Sequence, residues 1–408
     1  MPDPHAEERT APARGQGLIL TLLMLAGIVN FLDRSSLSIA NRTIRSELHL
    51  SATQMGLLLS SFSLAYGLMQ LPVGPLLDRF GSRRVLGLGL GIWSSAQMAM
   101  SAVTGMATFV PVRILLGLGE APFFPASVKV VREQFSARQR GRAMAAVNIS
   151  TTIGQGIAPP LLTVLMLHFG WRPMVLIIGA IGVLLALAWF PLQRNQSFVS
   201  APVSVSLAEW VGLFRQPRVW GLMLGFGGIN YTGWFYIAWL PAYLQSAHGV
   251  SILASGWLTA IPFLAGSLGM LSSGVLTDRL GRRGTPLRTI HRRQILAGMV
   301  ASACFTVLAS RVASANLAVA CISGALFCIH FAGTSAWGFV QAISPKKMVA
   351  TVSSIQNFGS FVVASAAPLM TGWLLDRTHT FAAAFALCAA VTLVGAATYA
   401  LMQRGELT

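Results

Sequence analysis

Charged residues are missing from most of this chain. Residues 16–32, 54–77, 85–112, 143–167, 173–193, 219–246, 249–277, 294–310, 312–345, 348–375 and 380–403 contain no Asp, Glu, Lys or Arg. A helix crossing a hydrocarbon core about 30 Å thick needs about 20 apolar residues, and the runs are of that length. The pattern predicts twelve helices near 17–41, 53–77, 84–103, 106–131, 140–167, 171–192, 219–245, 252–277, 290–312, 315–341, 347–376 and 379–402. Only 10% of the 408 residues are charged, against about a quarter in soluble domains. An ordinary soluble enzyme and a disordered chain are both excluded. The reading is an all-α membrane protein with no room for a separate soluble domain.

The few charges are lopsided, 29 Lys+Arg against 12 Asp+Glu. Such an excess would mark a nucleic-acid binder if it formed patches interleaved with aromatics, which it does not. With a cytoplasmic N-terminus, the tails and even-numbered loops hold 22 basic residues, from Arg9 to Arg404. The opposite face holds five, namely Arg42, Arg45, Arg172, Arg311 and Arg377. This asymmetry predicts that both termini are cytoplasmic. The first apolar run continues into Asp33 and Arg34 with no small-residue cleavage site, so it reads as a retained helix. Cys304, Cys321, Cys328 and Cys388 have no CxxC spacing and point to neither disulfides nor metal.

Two echoes indicate duplication. Gly74-Pro-Leu-Leu-Asp78-Arg79-Phe-Gly81-Ser-Arg83 recurs 200 residues on as Gly274-Val-Leu-Thr-Asp278-Arg279-Leu-Gly281-Arg-Arg283. Asn148 with Pro159 recurs 209 residues on as Asn357 with Pro368. Two pseudo-symmetric six-helix bundles follow, 1–192 and 219–408, joined by a central cytoplasmic linker over 193–218. Parallel halves with a site between them are the plan of secondary transporters.

Ionisable residues placed inside helices are costly, about 2.5–3.5 kcal/mol each on insertion scales, and so point to function. Four are placed there: Asp33, Arg34, Arg113 and Glu120. Arg113 and Glu120 are two helical turns apart and share a face, whereas Asp33 and Arg34 diverge by about 100°. A guanidinium keeps its charge and grips a carboxylate bidentately, which suits Arg34 and Arg113 to an anionic substrate. Asp33 and Glu120 are the candidate proton carriers, because burial favours a neutral carboxyl and a nearby guanidinium favours an ionised one. The competing reading is a pair of ion pairs that only fix helix packing. In the repeated loops, Gly81 and Gly281 would permit tight turns. Asp78 and Asp278 sit unfavourably at helix C-termini unless the N-terminus or an arginine of a neighbouring helix touches them in one conformation, which would make these loops, with Arg79 and Arg279, a gate that latches the outward-open state. Gly87-x-Gly89-x-Gly91 and Gly117-x-Gly119 lie within apolar helices and read as close helix packing. No Walker A sequence and no HExxH is present, so ATP-driven pumping and metal enzymology are not expected.

The repeated G-x-x-x-D-R-x-G-x-R loop resembles the signature of the major facilitator superfamily. Asn30-Phe31-Leu32-Asp33-Arg34, the segment Arg113-Ile-Leu-Leu-Gly-Leu-Gly-Glu120-Ala-Pro-Phe-Phe-Pro125, and Phe169-Gly170-Trp171-Arg172 resemble its anion:cation symporter family over essentially the whole chain. That family includes bacterial transporters of hexuronates, of aldonates such as galactonate and of aldarates such as glucarate, and eukaryotic carriers of organic anions and phosphate. The resemblance implies the same roles for Asp33, Arg34, Arg113 and Glu120. It adds Tyr66, Trp337 and Asn357 as substrate contacts, with Gln70, Gln155, Tyr231, Tyr236, Ser335 and Gln356 as weaker candidates. His330 is expected to make a helix–helix hydrogen bond rather than to shuttle protons.

The expectation is a proton-coupled symporter of a sugar acid working by alternating access. It needs no cofactor, is monomeric and sits in a bacterial inner membrane. A transporter of an aromatic or dicarboxylic acid, an anion exchanger, a Na⁺-coupled carrier and a non-transporting membrane sensor remain open on sequence grounds.

Overall fold

The computed structural model describes residues 13–192, 212–344 and 348–402. These are helical throughout, with no strand among the described residues. In chain order the helices are α1 (Ala13–Ile39), α2 (Asn41–Glu47), α3 (Ala52–Ala99), α4 (Met106–Glu120), α5 (Phe123–Gln134), α6 (Ala137–Phe169) and α7 (Trp171–Leu192). After the undescribed stretch come α8 (Pro217–Ala247), α9 (Ile252–Arg282), α10 (Leu287–Ala309), α11 (Ala315–Ile343), α12 (Val349–Thr378) and α13 (Ala382–Met402). Among the described residues nine stretches are long and apolar enough to cross a membrane. Large apolar side chains such as Leu88, Leu184, Leu187, Leu271 and Val394 point outward. That is the surface a bilayer covers, not one that water tolerates.

One element departs from the sequence reading. The helices expected at 53–77 and 84–103 are both present as the two arms of α3, which turn into each other at Gly81, where φ is 79° and ψ is 157°. Glycine has no Cβ to clash in that conformation. Conversely, the single helix expected at 106–131 is divided into α4 and α5 at Ala121-Pro122. Pro122 has no N–H for the helical ladder and its ring crowds the carbonyl four residues back. The linker expected at 193–218 and the loop lysines Lys346 and Lys347 lie wholly or mostly outside the described residues.

Glycine positions seat α4 between the two arms of α3. A Cβ on Gly119 would lie 2.7 Å from the Trp93 nitrogen, and one on Gly89 would lie 2.8 Å from the Gly119 carbonyl. Gly117 faces the Phe62 carbonyl in the first arm, and Gly87 meets Trp189 and Phe190 of α7. The expected close packing therefore holds at these four positions but not at Gly91, which faces open space. Small residues allow backbones to approach, and dispersion then replaces the missing hydrophobic drive between helices in lipid. The result holds Arg113 and Glu120 of α4 against α3.

The helices alternate in direction, so the molecule has two ends. One end, called here the α2 end, gathers α2, residues 100–105, Gly170, residues 248–251, 310–314 and 379–381. There Trp171 Nε1 donates to Glu47 at 2.6 Å, and Arg172 donates to Glu47 and to the Ser101 and Val103 carbonyls. His248 bonds the Ala313 carbonyl at 3.1 Å. The opposite, Gly81 end is tied by Ser82 to Glu133 at 2.6 Å and by Arg83 to the Phe190 carbonyl at 2.7 Å.

The helices before residue 193 meet those after residue 211 along α3–α12, α6–α9 and α1–α8. Among the described residues, every hydrogen bond across this boundary lies between mid-depth and the α2 end. Asp376 of α12 accepts from Ala52 N at 2.9 Å, Thr53 N at 2.7 Å and Thr53 Oγ1 at 2.6 Å. It thus caps the N-terminus of α3, where backbone donors are unpaired and the dipole favours an anion. Ser38 donates to the Ala238 carbonyl at 3.0 Å. Pro368 interrupts the α12 ladder, and the next amide, Leu369 N, donates to Ser60 Oγ at 3.1 Å. A Cβ on Gly56 would strike the Pro368 carbonyl, and one on Gly372 would strike the Ala52 carbonyl. The α2 end is closed by direct backbone contact.

Candidate functional site

Below this closure α1, α3 and α4 converge on a buried charge cluster. Asp33 and Glu120 are fully buried, and Arg34 and Arg113 nearly so. Arg34 Nε donates to Glu120 Oε2 at 2.8 Å, an ion pair 86 residues apart in sequence. Arg113 Nε donates to the Leu58 carbonyl at 3.2 Å, which fixes its guanidinium without consuming its charge. Asp33 lies within electrostatic reach of Glu120, Arg113 and Arg34, so the four intramembrane ionisable residues are brought together.

Aromatic rings wall the cluster. The Arg34 guanidinium lies 4.7 Å from the Tyr66 ring centroid, 5.3 Å from Phe31 and 5.6 Å from Phe62. Arg113 lies 4.8 Å from the same Phe62, which therefore stands between the two cations. A desolvated guanidinium over an aromatic face is stabilised by up to about 2 kcal/mol. The wall continues across the boundary between halves: Phe62 meets Trp234 at 5.7 Å, Tyr66 meets Phe361 at 4.8 Å, and Trp234 meets Phe361 at 6.1 Å. Phe62, Trp234 and Phe361 are not among the residues picked out from sequence. Phe62 had a signal, since it lies one turn before Tyr66 on the same face. Trp234 and Phe361 join only through tertiary contact.

Several buried polar atoms here have no hydrogen-bond partner among the described residues: both Asp33 oxygens, Arg34 Nη2, Arg113 Nη1, Glu120 Oε1 and both polar atoms of the Asn30 amide. Buried polar groups are nearly always satisfied in proteins, and exceptions call for an explanation. Guanidinium donors beside carboxylate and amide acceptors match a ligand bearing both a carboxylate and hydroxyls.

The remaining expected residues fare differently. Trp337 packs edge-on to Phe226 at 5.3 Å and is 39% exposed. Asn357 is half-buried, its carbonyl accepting from Ser360. No contact among the described residues joins either to the charge cluster. Tyr236 bonds Thr306, Gln70 bonds the Ala121 carbonyl, and Ser335 bonds Ser273 and Gln294. His330 corrects an expectation: its Nδ1 pairs with the Leu326 carbonyl one turn back in its own helix, not with a neighbouring helix. Its ring instead packs against Gly266.

The two repeated loops are not equivalent. Asp78 accepts from Lys129 Nζ of α5 at 3.0 Å, and Lys129 also caps the Leu77 carbonyl at 2.8 Å. The partner is a lysine of the same half, not an arginine or a helix N-terminus. Arg79 stacks on Phe80 at 5.2 Å. In the second copy Asp278 and Arg279 are exposed, and no ion pair holds Asp278 among the described residues. Gly281 does not make the turn expected of it: α9 runs through it to Arg282, and Gly284, with φ of 82°, turns the chain instead. The four cysteines are unpaired, and no cluster of metal-ligating side chains occurs among the described residues.

Comparison with known proteins agrees with this architecture. The sequence profile of the Major Facilitator Superfamily matches residues 23–368. The chain is 46% identical over 419 residues to the "Probable L-galactonate transporter" of Escherichia coli (strain K12), spanning 99% of this chain and 92% of that protein. It is 29% identical over 380 residues to the "Hexuronate transporter" of Bacillus subtilis (strain 168), spanning 90% of each. In fold it is similar to a solved bacterial homologue of the human lysosomal transporter Spinster, at a TM-score of 0.80 and 19% identity over 97% of this chain and 98% of that one. An integral membrane transporter and not an enzyme, the chain belongs to the major facilitator superfamily.

Proposed function

We propose that this protein is a proton-coupled symporter that imports a sugar acid across a bacterial inner membrane by alternating access. One observation carries the reading: Glu120 occupies Arg34 while a second guanidinium, Arg113, and a second carboxylate, Asp33, sit in the same buried cluster without ion-pair partners within 4 Å. Two guanidinium and two carboxylate groups balance. Adding a sugar-acid anion unbalances the cluster by at least one negative charge in a medium where uncompensated charge is expensive. A substrate carboxylate that takes Arg34 and Arg113 displaces Glu120, and a proton on Glu120 or Asp33 restores neutrality. Binding and protonation are thereby linked, and so are their reversals. Tyr66 supplies a wall of the site, with Trp337 and Asn357 as contacts from the second half once it closes. The relatives named for L-galactonate and hexuronate support the substrate class.

The architecture proposed is twelve spans in two six-helix bundles, 1–192 and 219–408. Nine stretches qualify by apolarity alone, α3 is long enough for two crossings, and α8 and α10 complete the set. The excess of basic residues at the Gly81 end supports a cytoplasmic location for that end and both termini. Closure at the α2 end then corresponds to a state facing the cytoplasm. The Asp78 and Asp278 loops, with Arg79, Gly81, Arg279 and Gly281, form the gate at that side. No cofactor beyond the coupling proton is invoked, and the monomer suffices.

The test is uptake by purified protein in proteoliposomes. An inward proton gradient is expected to accumulate L-galactonate, D-galacturonate or D-glucarate several-fold above equilibrium, with collapse by a protonophore. Uptake indifferent to the proton gradient would refute coupling, and no uptake of any of the three would refute the substrate class.

A further inference from the structure

At the α2 end, outside the closure, lies a cavity of ≈ 660 Å³ between the two halves, lined by α2, the last turns of α8 and α12, and residues 379–381. We infer that this cavity is a docking site for the carboxylate of an incoming anion, held by Arg42 and Arg45 with the Asn41 amide. The ligand class rests on the function proposed above, and the residues stand on their own geometry.

Arg42 and Arg45 are two of only five basic residues on this face, and they sit three apart on α2, on one side of the helix. Neither forms an ion pair among the described residues. Arg172 on the same face shows the alternative, since it is held by Glu47 and two carbonyls. Arg45 Nε reaches only the Leu50 carbonyl, at 3.4 Å. Asn41 lines the cavity, is 1% exposed, and has no partner for either its oxygen or its nitrogen. The one acidic side chain in the lining, Asp376, is already engaged by Ala52 and Thr53. It acts on Arg45 electrostatically but, as one carboxylate against two guanidinium groups, leaves the cavity with an excess of positive charge.

The site lies on the route to the central cluster. Its inner wall includes Leu375 and Asp376, the turn of α12 that seals α3. An anion resting on Arg42 and Arg45 is therefore already at the seam when that seal opens. A cleft lined by one sign of charge raises the local concentration of its counter-ion and the rate of capture. The effect belongs in KM, not in turnover. Headgroup phosphate of an anionic lipid shares this chemistry, but the cavity is lined by residues of both halves, which favours an anion bound at the seam.

Ser246 lines the same cavity and bonds only its own helix, at the Ala242 carbonyl, so Ser246→Cys is a mild reporter. In detergent-solubilised protein, with modification at that position read by mass spectrometry, an anionic methanethiosulfonate reagent is expected to react at least fivefold faster than a cationic one of similar size. Arg42→Gln with Arg45→Gln should cut that ratio at least threefold and raise KM for uptake several-fold at unchanged kcat. L-Galactonate should slow the anionic reagent, and should still do so when Arg113→Ala disables the central site. A ratio unmoved by the double substitution overturns the inference, as does protection by added phosphatidylglycerol but not by L-galactonate. Protection lost with Arg113→Ala also overturns it, while leaving the central site standing. Failure of the central reading shows up separately, as absent uptake.

Discussion

The two halves of this chain carry the same loop motif and use it differently. In the first half Gly81 turns the backbone and Asp78 is held by Lys129. In the second, the helix runs straight through Gly281 and Asp278 is left exposed. The same asymmetry recurs at the centre. All four intramembrane charges belong to α1 and α4, whereas the second half contributes rings, Trp234 and Phe361. Only at the α2 end does the second half supply the charge, through Asp376. Duplication thus preserves the frame, and on the function proposed above the work is divided: the first half carries the charges for binding and coupling, and the second supplies walls, neutral contacts and closure.

That division can be broken by paired substitutions. The largest contrast is expected at the centre. Arg113→Lys keeps the charge but loses the planar fork, and charged hydrogen bonds contribute about 1.5–3 kcal/mol, so sugar-acid affinity should fall about 10- to 100-fold. Asn357→Ala in the second half removes neutral contacts of about 1 kcal/mol, and should cost about fivefold. Equal losses in a binding assay would contradict the division.

A smaller effect is expected at the closure. Asp376→Asn removes the negative charge from the α3 N-terminus and leaves one acceptor oxygen for three donors. The population closed at the α2 end should fall by about tenfold, a loss of about 1.4 kcal/mol. Spin-label distances across α3 and α12 would show this as a growing long-distance component. Gly56→Ala should act in the same direction by propping Pro368 away. An unchanged distance distribution in both variants would remove α3–α12 from the gate.

The smallest contrast lies in the repeated loops. The Asp78–Lys129 pair is largely exposed on the carboxylate side, and pairs of that kind contribute at most about 1 kcal/mol. Asp78→Asn should therefore shift the same distance distribution by about twofold, and Asp278→Asn by less. A larger effect of Asp278→Asn would show that its partner engages in another conformation and that the two copies are equivalent gates after all.

Much of this was legible in the sequence because lipid imposes simple rules. Charge-free runs located the rods to within a few residues, and the cost of burying Asp33, Arg34, Arg113 and Glu120 marked the centre. Local breaks were harder to see. Pro122 lies in an apolar segment whose composition does not distinguish a broken helix from a continuous one, and Gly281 matches its counterpart in sequence but not in backbone. Tertiary partners were out of reach. Asp376 is only the last residue of an expected helix until α3, more than 320 residues away, presents its amides. His330 similarly satisfied its ring locally because Gly266 lets the neighbouring helix come close without offering a partner.

The central claim is that Glu120 releases Arg34 to the substrate by taking up a proton. Glu120→Gln has the shape of the protonated acid and cannot lose a proton. In proteoliposomes, this variant is expected to exchange labelled for unlabelled sugar acid at a rate within a few-fold of wild type, while failing to accumulate it under an inward proton gradient. Proton-driven accumulation at the wild-type level would contradict the account and return the Arg34–Glu120 pair to a purely structural role.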